Sequence, residues 1–134
     1  MSTPRAIVLA AVLVAACGGP PASPAPTTAP SLRAGEFAIP TMSPPFGSTP
    51  EACPAALTRG TLIEDPAGGL GLERDGDTTR VRWPFGWRGA SGPPVALVDA
   101  TGAIIANVGQ QVEVGGGEIS AGWWLGCGGV TVVG

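Results

Sequence analysis

Residues 111–117 read Gln-Val-Glu-Val-Gly-Gly-Gly. Polar and apolar side chains alternate over Gln111, Val112, Glu113 and Val114, the two-residue period of a strand with one buried face. Gly115, Gly116 and Gly117 then break the pattern. In a sheet, such a run marks a bulge or a barrel corner. The competing reading is a phosphate-cradling loop. That loop needs a Lys followed by Ser or Thr and the start of a helix, and neither follows Glu118.

The same period recurs on both sides of this stretch. Arg80-Val81-Arg82-Trp83 puts Val81 and Trp83 inward and both arginines outward. Pro84 to Trp87 closes that strand, because Pro cannot donate to a ladder. Upstream lie Thr61 to Ile63, a breaker from Asp65 to Gly69, and the alternating Leu70 and Leu72. Asp75-Gly76-Asp77 is a hairpin turn signal. Downstream, Val95 to Val98 is an apolar run ending at Asp99. Thr101-Gly102 turns the chain into Ile104 to Val108, and Val130, Val132 and Val133 supply a last strand. No window longer than about ten residues carries a helical period. Five or six short strands at roughly ten-residue spacing predict an all-β domain over residues 51–134, a small barrel or sandwich. Closing the sheet removes exposed edges.

Composition excludes much chemistry. Among the 134 residues there are 22 Gly and 15 Pro, no His and no Tyr, and charged residues make up 13%. All seven cations are Arg, so there is no Lys. A His-based triad, a His-ligated zinc site and a Schiff-base Lys are impossible. A net charge of -3 argues against nucleic acid as a partner. The length allows one small domain. No cofactor or metal is expected, and the oligomeric state is left open.

The amino-terminal residues are an export address. Met1 to Arg5 is short and polar with one Arg, and Ala6 to Ala16 is wholly apolar. Such a run spans only about 16 Å as helix, too short for a bilayer core. It ends in Val14-Ala15-Ala16-Cys17. This resembles the lipobox of bacterial lipoproteins, with Val14 where the family more often has Leu. The resemblance implies cleavage of residues 1–16, a diacylglycerol on the Cys17 thiol and a fatty acyl chain, palmitate-like, on its amino group. It implies anchoring at the cell membrane or outer membrane, on the extracytoplasmic side. More than one buried chain makes such anchoring stable. The alternative is plain secretion with Cys17 in a disulfide. Without residues 1–16 the chain keeps 6 Arg against 10 acids, so no polybasic patch assists the anchor.

Residues 17–50 read as a tether. Gly18 to Ser31 holds no side chain larger than Pro or Thr, and such a stretch cannot offset its conformational entropy by burial. Its Pro density favours extended polyproline II. Phe37, Ile39, Met42 and Phe46 are exceptions that can dock on the domain as an extended arm. Cys53 and Cys127 lie near the two ends of the domain. An oxidising compartment lets them pair. In the chain-entropy model the bridge contributes on the order of 4 kcal/mol, a large share for so small a core.

A looser resemblance covers about 60 residues. Gly60-Thr61-Leu62, Val81 to Pro84, Val98 to Gly102, Ala106 to Gly109 and Val114 to Glu118 fall in an order similar to a small uncharacterised bacterial β-domain of exported proteins. Its layout is similar to the oligonucleotide/oligosaccharide-binding barrel. It implies no activity.

The remaining candidates are weighed residue by residue. Asp75 and Asp77, with Glu73 nearby, lack the terminal bidentate acid of a calcium loop. Glu64 and Asp65 would serve general acid–base chemistry only in a cleft that shifts one of them. Ser91 has no base to activate it. Trp87, Trp123 and Trp124 cannot all face inward, since neighbours on a strand point oppositely. An exposed Trp beside Arg82 or Arg88 would stack on a sugar ring or a partner peptide; the alternative is packing around the disulfide. The expected role is non-catalytic binding or scaffolding at the envelope, toward a protein or glycan. The rivals are a wall-binding module using Arg82, Trp87, Arg88, Trp123 and Trp124, and a hydrolase using acid pairs.

Overall fold

The computed structural model describes residues 18–19, 31–43 and 53–134. The export signal, Cys17, most of the tether, Phe46 and Glu51 lie outside the described residues.

Among the described residues nine strands form: β1 (Glu36–Phe37), β2 (Ala56–Glu64), β3 (Leu70–Arg74), β4 (Asp77–Arg82), β5 (Arg88–Ala90), β6 (Ala96–Val98), β7 (Ile104–Asn107), β8 (Gln111–Ser120) and β9 (Trp123–Val132). No helix forms among the described residues. Five strands close a barrel in the order β2-β3-β4-β9-β8, and β1-β5-β6-β7 make a second sheet. All barrel pairs are antiparallel except β4 with β9. The fold is therefore all-β with a small closed barrel. The barrel path is a three-strand meander followed by a returning hairpin whose last strand runs parallel to the third.

Local chemistry explains the path. Asp75 and Gly76 both take positive φ, 55° and 87°, the twist that a two-residue hairpin turn requires between β3 and β4. Val81 on β4 and Trp83 just past its end point inward, at 1% and 0% exposure. The Trp83 indole donates to the Leu70 carbonyl at 2.9 Å, so its polar edge is satisfied inside. Leu62, Leu70, Leu72, Val112 and Val114 complete the barrel core with them. Ile39, Leu97 and Ala106 join the same cluster, so the second sheet covers one side of the barrel and shares its core.

The glycine run bends β8 without ending it. Pairing with β9 shifts between Val114 and Gly116, the bulge expected there. Gly116 has φ 152°, and a Cβ on it would overlap the Leu125 carbonyl. The Cys53–Cys127 disulfide forms above this run, with Cα atoms 6.0 Å apart. Gly116 pairs with Ala56 of β2 on one side and Gly126 of β9 on the other. The bridge thus straps β2 to β9 across β8. Pro54 lies on Gly117, where a Cβ would meet its ring at 2.6 Å, so the strap needs the strand beneath it to be bare.

The packed body also begins earlier than residue 51. Glu36 and Phe37 pair with Ala90 and Gly89 of β5. The Met42 N–H donates to the Trp83 carbonyl at 2.9 Å, and the Trp83 N–H to the Pro40 carbonyl at 3.0 Å. Ile39 and Met42 are buried at 8% and 7% exposure. Three apolar side chains spaced through a Pro-rich stretch suffice here, because a preformed edge supplies the backbone hydrogen bonds.

Candidate functional site

The sequence-predicted residues separate into two places. Arg82, Trp123 and Trp124 come together where β4 and β9 run side by side; Arg88 opens β5 of the second sheet, and Trp87 directly precedes it.

At the first place, register does the positioning. Arg80 pairs with Trp123, Val81 with Trp124 and Arg82 with Leu125. Arg80 and Arg82 share the outer face of β4, as alternation demands. Their guanidinium carbons lie 4.8 and 5.5 Å from the Trp123 ring centre, so one indole carries two cations. Arg80 is further fixed by Asp65, with Nε and Oδ2 3.0 Å apart and the carboxylate side chain only 6% exposed. Asp65 Oδ1 accepts the Ala67 N–H at 2.8 Å. Arg82 is exposed and has no carboxylate within 4.0 Å among the described residues. Trp124 takes the opposite phase and packs half-buried against the core. Its indole N–H is buried without a partner.

A cleft of about 250 Å³ opens beside these residues, between the β3–β4 hairpin and the β8–β9 turn. Arg74, Thr79, Glu118, Trp123 and Trp124 line it with Leu57. Its chemistry is one apolar wall, an aromatic edge, one cation and one acid. Arg74 and Arg80 were absent from the sequence-predicted set. The available signal for Arg80 was its phase, since it sits two residues from Arg82 on the same strand.

The second place is structural. Trp87 lies 6.2 Å from Trp83, ring to ring, with planes 6° apart. Arg88 is 3% exposed, which removes it from the surface role expected of it. Its Nε sits 2.7 Å from Glu36 Oε2, approached off the N–H axis, and its Nη1 donates to the Gly86 carbonyl at 3.3 Å. The Glu36 carboxyl is held below the usual range, chiefly by the Arg33 backbone N–H and then by Arg88. Trp87, Trp123 and Trp124 are all half-buried, so no Trp among them stands fully exposed.

Three of the acid candidates are engaged in turns or ion pairs: Asp65, Asp75 and Glu73, whose Oε1 accepts the Gly76 N–H at 3.2 Å. Asp65 serves Arg80 as described. Asp75 sits 3.8 Å from Arg74 on the open hairpin tip. Asp99 accepts from the Thr101 hydroxyl at 2.6 Å and from the Thr101 and Ala103 N–H groups, all at one oxygen. These bonds, the hydroxyl foremost, hold its carboxyl below the usual range against the opposing effect of burial. Among the described residues no group of three His, Cys, Asp or Glu side chains gathers as metal ligands would. Comparison with protein-family models, with curated proteins and with solved structures finds no match for this chain.

Proposed function

We propose that this chain is a lipid-anchored protein of the bacterial envelope whose small β body binds or scaffolds without catalysis. The observation that carries the reading is the Cys53–Cys127 bridge. Such bridges persist in oxidising compartments outside the cytoplasm, which is where a processed Val14-Ala15-Ala16-Cys17 sequence would deliver the domain. The engagement of Asp65 by Arg80 and of Asp99 by its own turn gives both carboxylates a structural role, which supports the non-catalytic reading.

Intact-mass measurement of the membrane-extracted chain tests the anchor. The expected species begins at Cys17 and carries diacylglycerol plus one acyl chain. A Cys17→Ser variant should leave the membrane fraction. A full-length unmodified chain, or a variant that stays membrane-bound, would overturn the reading.

A wall-glycan ligand is the second reading, favoured by the two-cation indole beside the cleft. Indole faces and guanidinium groups are the chemistry that stacks on and hydrogen-bonds to sugars. Retention on purified peptidoglycan should fall at least tenfold for Trp123→Ala and Arg82→Ala. Trp87→Ala, whose ring is engaged by Trp83, should change retention only as far as it changes folding.

A further inference from the structure

Strand β5 presents a groove built for one kind of segment. Arg88 places a guanidinium at its floor, 3% exposed. Gly89 lies flat beneath the Phe37 ring, so closely that a Cβ there would overlap it. The backbone of Ala90 pairs with Glu36, and the Ser91 N–H donates to the Gly35 carbonyl at 2.6 Å. Next along, Trp83 gives both its backbone groups to Pro40 and Met42. A buried cation without a counter-charge is strongly unfavourable. The groove therefore selects an extended segment in which an acid is followed directly by an aromatic ring.

Residues 33–43 meet that requirement, yet no disulfide ties them to the groove. They lie outside the loop that Cys53 and Cys127 close. Nine residues, 44–52, connect them to Cys53, and nine residues reach at most about 30 Å when extended. We propose that the β5 groove is an exchangeable strand-acceptor site, and that its partner in trans is the 33–43 arm of a second copy of this chain. Charge complementarity carries the choice of partner, because a second copy brings the matching Glu36. Strand addition at a sheet edge supplies the backbone hydrogen bonds, and arm exchange creates an interface without new contacts. Membrane anchoring, if the preceding reading holds, would concentrate the copies, but exchange in solution does not depend on it.

Charge reversal in the full chain tests the proposal. Glu36→Arg alone opposes two cations, and Arg88→Glu alone opposes two acids, so each chain should run as a monomer with a protease-sensitive arm. Mixed in equal amounts, they hold complementary pairs only between chains. Light scattering should then show a heterodimer of twofold mass. A mixture that stays monomeric, while Glu36→Arg/Arg88→Glu in one chain melts like wild type, overturns the proposal. A second measurement avoids burying a stray charge. A fluorescent peptide of residues 31–43 should bind the full-length Phe37→Gly chain at least tenfold more tightly than wild type, and a Glu36→Lys peptide should not bind. Failure of the unmodified peptide to bind overturns the proposal whether or not the charge-reversed chains fold.

Discussion

Removing the Cys53–Cys127 bridge should be the most damaging mild change available to this fold. The bridged residues are 74 apart in sequence. The chain-entropy relation then gives about 4.5 kcal/mol of stabilisation at 25 °C, through restriction of the unfolded chain. Residues 33–43 and 53–134 make a body of 93 residues. At about 2.1 cal/mol/K per residue its unfolding entropy is about 0.2 kcal/mol/K, so the loss converts to a fall in Tm of roughly 20–25 °C. The assay is thermal and urea unfolding followed by tryptophan fluorescence, for wild type with and without reductant and for Cys53→Ala/Cys127→Ala. Reduced wild type and the double variant should agree. The urea m-value should rise in both, since an unbridged unfolded chain exposes more surface. A Tm decrease below about 5 °C, or an unchanged m-value, would refute the entropic account.

Other outcomes follow from single residues. Gly116→Ala drives a Cβ into the Leu125 carbonyl at a positive φ and should cost about 3 kcal/mol or more; Gly129→Ala, which meets nothing within 4 Å, should be close to neutral in the same denaturation assay. Trp83→Phe keeps most of the buried ring but strands the Leu70 carbonyl, costing about 1–3 kcal/mol by urea unfolding. The lowered Asp99 carboxyl makes a stability contribution that is complete above its unfolded value, near pH 4, and is lost as pH falls through the lower folded value. Thr101→Val removes the leading cause, so its Tm should lie below wild type at neutral pH and converge with it in acid; parallel profiles would contradict the assignment.

The sequence carried the barrel better than the site. Period-two alternation at Arg80 to Trp83 and the Asp75-Gly76 turn are local, and local chemistry fixed both. The parallel pairing of β4 with β9 joins residues 43 apart (Arg80 with Trp123), and nothing in either segment announces the other. The glycine run read correctly as a bulge, but its purpose lay in the Pro54 strap passing over it, which is a tertiary fact. Arg88 was misread for a related reason. A lone Arg after a Trp resembles a surface cation, and only the returning arm with Glu36 reveals it as buried. The second sheet was partly hidden because β1 and β5 are two and three residues long, too short to show any period.

The β4–β9 junction also governs how the chain can reach this state. Until Trp123–Val132 is available, β4 and β8 each lack a neighbour, and the apolar interior has two open seams. Closure awaits β9 and a pairing between residues 43 apart, the kind of non-local contact that slows folding. A ribosome-fresh copy therefore passes through an interval of sticky, half-built sheet. Shortening the chain by those last residues should yield aggregates, because the missing stave leaves the barrel permanently ajar.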